Sequence, residues 1–299
     1  MGKRPGKVSV VLPTYNRADV LERSVESVLE QTFEEYELLI VDDASTDETD
    51  AVVDGFDDDR IRYIKHDENR GAAAARNTGI REAGGEIIAF QDSDDVWHER
   101  KLEKQVATLE DRPEDVGVVY TGARREFDDS ETYIPGDGVE PKEGNIEKSL
   151  LSFNFVTTQA AAVRQDCFET VGTFDEKLPA LVDWELWIRI SEFYEFAYVD
   201  EPLVTAYLRE DSISNDTEAL VDARERIVER HCDRFDTETL ARQRFWVGNG
   251  AMKLGDANRG RRNLLRAFRT DPRLLYLGAF AISLLGPAVY RSAREIYKE

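Results

Sequence analysis

Three carboxylates stand within four positions at Asp92-Ser93-Asp94-Asp95, just after the apolar run Ile87–Phe90. A short buried run that ends in crowded acids is a strand delivering like charges to one point. Adjacent carboxylates repel, and one of them has its pKa pushed up unless a cation sits between them. A hard divalent ion, Mg²⁺ or Mn²⁺, takes oxygen ligands and bridges to substrate phosphates, which removes the conflict. An acidic turn in a very acidic protein is the plainer alternative. Two more polar clusters are placed the same way. Pro13-Thr14-Tyr15-Asn16-Arg17 follows the run Val8–Leu12, and Asp42-Asp43 follows Glu37–Val41.

The elements that must position these clusters are short. Val8–Leu12, Glu37–Val41, Ile61–Ile64, Ile87–Phe90 and Val116–Tyr120 are continuous and β-branched, which predicts buried strands. Between them, Val20, Leu21, Val25, Val28 and Leu29 recur at helical spacing, Ser45-Thr46-Asp47-Glu48 is a cap-like helix start, and Ala72–Ala83 predicts a third helix. Such alternation gives an α/β fold, a mostly parallel sheet between helices, with ligands bound at the carboxyl ends of the strands. Residues 122–148 are polar and rich in Gly, Pro and acids, which reads as a loop. From Thr217 the pattern is wholly helical, so the expected division is 1–215 for a catalytic unit and 216–299 for a helical appendage.

The 299 residues carry a net charge of −22, which argues against nucleic acid as a partner. Only ten lysines accompany 61 acids, a composition suited to high salt, where repulsion is screened within a few ångströms. Two cysteines, Cys167 and Cys232, and no apolar segment before the first strand predict a reducing, cytoplasmic setting. Residues 259–294 differ in charge from the rest. They hold eight arginines against a single acid, Asp271, a net of +7, and enclose the uncharged stretch Leu274–Tyr290. At 17 residues, interrupted by Gly286-Pro287, that stretch suits an interfacial segment on the cytoplasmic face better than a crossing. The competing expectation is a helix packed on the catalytic unit, its arginines paired with that unit's acids.

With these clusters in place, the chain resembles the family 2 glycosyltransferases, which have a nucleotide-sugar-binding fold of the GT-A type. The matching segments are VSVVLPTYNR (8–17), LLIVDDASTDET (38–49), NRGAAAARNTGI (69–80), IIAFQDSDDVW (87–97), VGTFDE (171–176) and DWELWIR (183–189), spanning roughly residues 8–215. The resemblance implies inverting transfer of a sugar from a nucleotide-diphosphate donor, usually a UDP-sugar. The acceptor would be a hydroxyl of a glycan or polyprenyl-phosphate-linked glycan, in surface-glycan or protein N-glycosylation pathways.

The resemblance also implies roles for individual residues. Pro13, Thr14, Tyr15 and Arg17 would form the nucleotide edge, with Thr14 and Tyr15 offering a hydroxyl and a stacking face. Asp43 would accept from the base ring, although Asp42 or Asp43 can instead cap the helix starting near Ser45. Arg76 would reach the diphosphate or pair with local acids. Asp94 would ligate the metal, with Asp92 toward ribose or metal and Asp95 in support. Asp183, in a Val-Asp pair where the family has Glu-Asp, would be the general base, and it also suits a helix cap. Trp184 would line the acceptor or sugar pocket, with Trp187 in the core. The loop Tyr207–Ser214 lacks the family's frequent histidine, and Arg209 there would neutralise the diphosphate instead. His66, His98 and His231 are too scattered for a metal site and read as surface or local structure. The alternatives are a nucleotidyltransferase of similar fold, which would want a Gly-rich loop with a lysine near the first strand, and a non-catalytic binding module.

Overall fold

Every residue of the first strand, β1 (Val8–Thr14), is buried, as a continuous apolar run requires when helices cover both faces of a sheet. The computed structural model describes residues 7–127, 130–136, 138–140, 142–207 and 216–296. After β1 come α1 (Ala18–Leu29), β2 (Tyr36–Asp42), α2 (Thr49–Asp54), β3 (Ile61–Lys65), α3 (Ala72–Glu82), β4 (Ile87–Phe90), β5 (Val96–Trp97) and α4 (Lys101–Glu110). Then follow β6 (Val116–Phe127), β7 (Ser130–Ile134), α5 (Glu147–Ser152), β8 (Ala161–Arg164), α6 (Gln165–Val171), α7 (Val182–Ile190) and β9 (Glu195–Tyr207). Five helices close the chain: α8 (Thr217–Arg230), α9 (Thr237–Leu254), α10 (Ala257–Thr270), α11 (Leu274–Ser283) and α12 (Pro287–Ile296).

The strands form one sheet in the order β3-β2-β1-β4-β8-β6-β9-β5, with β7 on β6. The half that carries the polar clusters, β3-β2-β1-β4, is parallel throughout. β8 runs antiparallel to both β4 and β6, and β6 pairs with β9 in parallel. One apolar cluster on each face, around Leu12 and Leu38 on one side and Phe90 and Trp187 on the other, holds the helices to the sheet.

Two expectations change. The stretch from 122 does not begin as a loop: β6 continues to Phe127 and pairs with β7, with Ala123 opposite Ile134. Pairing with β7 on one side and β9 on the other satisfies this backbone, so its polar side chains need no apolar pattern. The second helix starts at Thr49 rather than near Ser45. Asp47 Oδ1 accepts from Thr49 N at 3.1 Å and from Thr49 Oγ1 at 2.5 Å, which holds the preceding residues in a turn.

The chain divides into two compact units, Met1–Glu176 with Val182–Leu208, and Lys177–Leu181 with Arg209–Glu299. The second is a helical unit in which three aspartates cap their helices. Asp216, Asp236 and Asp256 accept from the backbone N–H three residues on, at 3.0, 2.7 and 3.0 Å. The tail arginines pair inside this unit: Arg259 and Arg262 with Glu225 of α8, Arg266 with Glu229, Arg273 with Glu238 of α9. These pairs join neighbouring helices of the same unit. No helix among the described residues is long and apolar enough to cross a membrane.

Candidate active site

Because β2, β1 and β4 are parallel and adjacent, their carboxyl ends lie side by side. Thr14 is in register with Asp42, and Val11 with Phe90. The clusters at 13–17, 42–43 and 91–95 therefore meet at one sheet edge. The first two are tied to each other, with Asn16 N donating to Ser45 Oγ at 2.9 Å and Thr46 N to Asn16 Oδ1 at 2.8 Å. Asn16 tolerates the left-handed conformation it adopts (φ 50°), whereas Ala44 (φ 66°) is held in it at a cost of roughly 1–2 kcal/mol. The strained turn at Ala44 sends the two acids before it to different partners.

Asp42 is the acid that shapes the turn. Its Oδ1 accepts from Ser45 N at 2.8 Å and its Oδ2 from the Tyr63 hydroxyl at 2.5 Å, with Lys65 Nζ at 3.4 Å. The Asp43 side chain is 3% exposed. Its carboxylate accepts from Arg70 N at 2.9 and 3.0 Å and from Gly71 N at 2.6 Å, and it meets His66 Nδ1 at 2.7 Å. Asp43 thus clamps the Gly71 turn (φ 90°) that opens α3, and its lone pairs are engaged within the chain. Asp43, expected to read the base, is the clamp of this loop in the structure.

His66, expected to be merely local, belongs to this site. Asp43 only accepts, so the proton lies on His66 Nδ1. Nε2 meets the Thr78 hydroxyl at 2.9 Å, and Thr78 Oγ1 in turn accepts from Arg81 at 2.8 Å. No local spacing signals this chain, since its members come from just past β2, just past β3 and from α3. Beside it, the Thr14 hydroxyl is buried without a partner among the described residues, and the Tyr15 ring is 44% exposed. Pro13 lies within β1 opposite Val41, and the Arg17 carbonyl receives the first N–H groups of α1, from Val20 and Leu21.

The 91–95 segment is shaped by its neighbours. Ser24 Oγ of α1 donates to the Asp92 carbonyl at 2.9 Å, and Arg23 donates to the Asp94 carbonyl at 2.9 Å. Gln91 reaches the Asp95 carbonyl at 2.8 Å, and Tyr207 N donates to Asp95 Oδ1 at 3.1 Å. Arg76 on α3 donates to Asp92 Oδ1 at 2.6 Å, so of its two expected roles the structure shows the pairing with a local acid. Asp95 is buried, and desolvation first, then the charges of Asp92 and Asp94, raise its carboxyl well above the ordinary range. That is the like-charge conflict the sequence implies. Among the described residues, no three His, Cys, Asp or Glu side chains cluster as a protein-only metal cage. Two acids at a strand end still fit Mg²⁺ or Mn²⁺, which such sites hold through one or two carboxylates together with substrate phosphates.

Asp183 sits in the first turn of α7, preceded by Leu181 at φ 56°. Desolvation raises its carboxyl above the ordinary value. Hydrogen bonds from Asn154 Nδ2 (3.0 Å) and Trp184 N (2.7 Å) and the charge of Arg76 oppose the rise, and the charge of Asp92 adds to it. Asp183, Arg76 and Asp92 are therefore neighbours in one electrostatic field. Trp184, expected to line a sugar pocket, is fully buried, and its indole N–H donates to the Leu150 carbonyl at 2.6 Å. A buried indole needs such an acceptor, and this one leaves no face for a ligand. Trp187 is core as expected and donates to the Val156 carbonyl at 2.8 Å. The two tryptophans pin the 150–156 segment, which carries Asn154 to Asp183. Arg209 lies outside the described residues.

Residues 9–172 match the model of "Glycosyl transferase family 2", more than half of the chain. The chain belongs to this family. The matched span holds the clusters at 13–17, 42–43 and 91–95 with His66 and Arg76, and leaves out Asp183, Trp184, Trp187, Tyr207 and Arg209. An uncharacterized glycosyltransferase of Haemophilus influenzae is 29% identical over 70% of this chain and 72% of its own length. The Escherichia coli UDP-Glc:alpha-D-GlcNAc-diphosphoundecaprenol beta-1,3-glucosyltransferase WfgD is 44% identical over 34% of this chain and 40% of its own. For WfgD and for the Rickettsia felis relative, the chain spans less than half of their length. Among solved structures, S. aureus TarS 1-349 in complex with UDP-GlcNAc superposes with a TM-score of 0.75 at 18% identity, over 98% of this chain and 91% of that one. The Pyrobaculum calidifontis mannosyltransferase PcManGT, in complex with GDP-Man and Mn2+, gives 0.61 at 19%, over 99% and 89%. At such identities the likeness is one of fold, and this family 2 chain has the GT-A fold.

Proposed function

We propose that this family 2 glycosyltransferase moves a sugar from a UDP-sugar to a hydroxyl of a lipid-linked glycan, with inversion at the anomeric carbon. One observation carries the reading: an acid-rich strand end, Asp92 to Asp95, shares an electrostatic field with a single desolvated carboxylate, Asp183. The two ends of a displacement need those two environments. At one, Asp94 and Asp92 would hold Mg²⁺ or Mn²⁺, which when bound would stabilise charge on the nucleoside diphosphate. At the other, Asp183 takes the proton of the acceptor hydroxyl. A raised carboxyl makes a better base, and Asn154 fixes the oxygen that does not take the proton. Thr14 Oγ1 and the Tyr15 face supply the hydroxyl and stacking surface at the nucleotide edge, beside the Asp43 clamp, and Arg209 and Arg76 supply cationic neighbours for phosphate.

The donor and acceptor classes draw support from the UDP-GlcNAc bound by TarS and from the diphosphoundecaprenol-linked acceptor named for WfgD. Family membership stands against nucleotidyl transfer. A cytoplasmic enzyme working at the membrane face suits a lipid-linked acceptor.

The test is hydrolysis of UDP-GlcNAc and UDP-Glc by the intact protein, with and without excess chelator, and in Asp94→Ala. Divalent-dependent hydrolysis that Asp94→Ala removes is the expected result. Full turnover in chelator refutes the metal role. No hydrolysis or transfer of any nucleotide sugar leaves the binding-module reading.

A further inference from the structure

The helices α11 and α12 turn an apolar face outward. Positions 274, 277, 278, 281, 284, 285, 288 and 289 are exposed at helical spacing, and every one of them is Leu, Gly, Ala or Val. Leu274 is 86% exposed and Leu285 68%, with Leu275, Leu277, Leu284 and Val289 also open. The opposite face is the one that packs. Tyr276, Ser283 and Tyr290 are buried, with the Tyr276 ring 5.0 Å from that of Phe245 and the Tyr290 hydroxyl bonded to Asn249 of α9. A surface helix ordinarily puts its polar residues outside, and a contiguous apolar face of this kind marks an interaction site.

From this arrangement we infer that the α11–α12 hairpin docks on an anionic lipid bilayer and lies in its interface. Each helix has ten residues, about 15 Å of rise against a hydrocarbon core of about 30 Å, and they are separated at Gly286 (φ 100°), so neither crosses. Charge selects the occupant. Arg291 is exposed beside the apolar face and there is no acid from residue 272 to 294, while Arg273 at the other end is shared with Asp271 and Glu238. A second copy meeting this face across a two-fold axis would set arginines against arginines, whereas anionic headgroups complement them. Leucines supply the insertion that persists in salt; arginines supply the part that salt screens. The surface is read independently of donor chemistry, and a lipid-linked acceptor would give it its purpose.

The intact protein is mixed with glycan-free vesicles of phosphatidylglycerol and phosphatidylcholine and sedimented, in dilute buffer and in molar KCl. The wild type is expected in the pellet in both. Leu284→Glu with Leu285→Glu, surface changes that spare the fold, lowers partitioning by about tenfold or more. UDP-GlcNAc hydrolysis in solution and the melting temperature stay unchanged, which separates loss of docking from loss of the enzyme. Wild type left in the supernatant in both salts overturns the proposal, as does equal binding by the variant. So does a dimer in light scattering that the variant abolishes without any vesicle binding.

Discussion

Asp183 is held between opposing influences, which makes its neighbourhood testable one residue at a time. Desolvation raises its carboxyl, while Asn154, the Trp184 N–H and Arg76 favour the charged form. Asp183→Asn is expected to lower turnover by ~10²-fold or more with donor affinity nearly unchanged, the size of a lost general base. Lost donor affinity at unchanged turnover would make Asp183 a binding residue instead. Asn154→Ala removes a bond to the ionised form, so the carboxyl rises further and the acidic limb of the pH–rate profile moves to higher pH; a limb that stays or moves down contradicts the assignment. His66→Ala leaves Asp43 and Thr78 each short of a buried partner, an expected cost of about 1–3 kcal/mol read by urea unfolding. The donor KM should rise with the loosened Gly71 turn while kcat holds. The acids at 92–95 were legible in the sequence because they are crowded in a few positions. The His66 chain was not, because its bonds span β2, β3 and α3. Trp184 misled because an aromatic beside a catalytic acid looks like a pocket wall until its N–H partner is seen.

The helix α3 depends on one small residue at the scale of elements. A Cβ added at Gly79 would lie 2.3 Å from Val11 Cγ1 of β1, closer than any carbon contact allows. Only glycine lets α3 seat against β1, and that seat places Arg76 over Asp92 and Asn77 against Phe174, where both backbone groups of Phe174 are taken at 2.9 and 3.0 Å. Gly79→Ala is expected to destabilise by about 1–3 kcal/mol through overpacking and to weaken donor turnover along with it. Unchanged unfolding in urea would show that α3 can shift at little cost. The strands β1 to β4 could be read from the chain because burial on both faces forces an uninterrupted apolar run. β5, β7 and the 13-residue β9 could not. β5 is two residues long, and β9 carries Glu195, Asp200 and Glu201 on a strand specified by its partner β6 rather than by its own pattern.

The whole molecule carries −22, and with +7 confined to residues 259–294 the remainder holds −29. The basic segment spends much of its charge on its own helical unit. Glu225 accepts from Asn263, Arg262 and Arg259, which hold its carboxyl below the ordinary range against the upward push of burial. That pairing is short-ranged and partly buried, so salt screens it weakly, while repulsion among exposed acids elsewhere acts over distances that salt screens strongly. The two effects differ in sign. If local pairs dominated, added salt would loosen the fold; with an acid excess of this size, self-repulsion dominates. The urea midpoint is therefore expected to rise steadily from dilute buffer to molar KCl. Glu225→Gln should lower the midpoint at every salt concentration without changing that slope, because it breaks a local cluster and barely alters the total charge. A midpoint that falls with KCl would mean that the ion pairs, and not the surplus of acids, set the salt response of this fold.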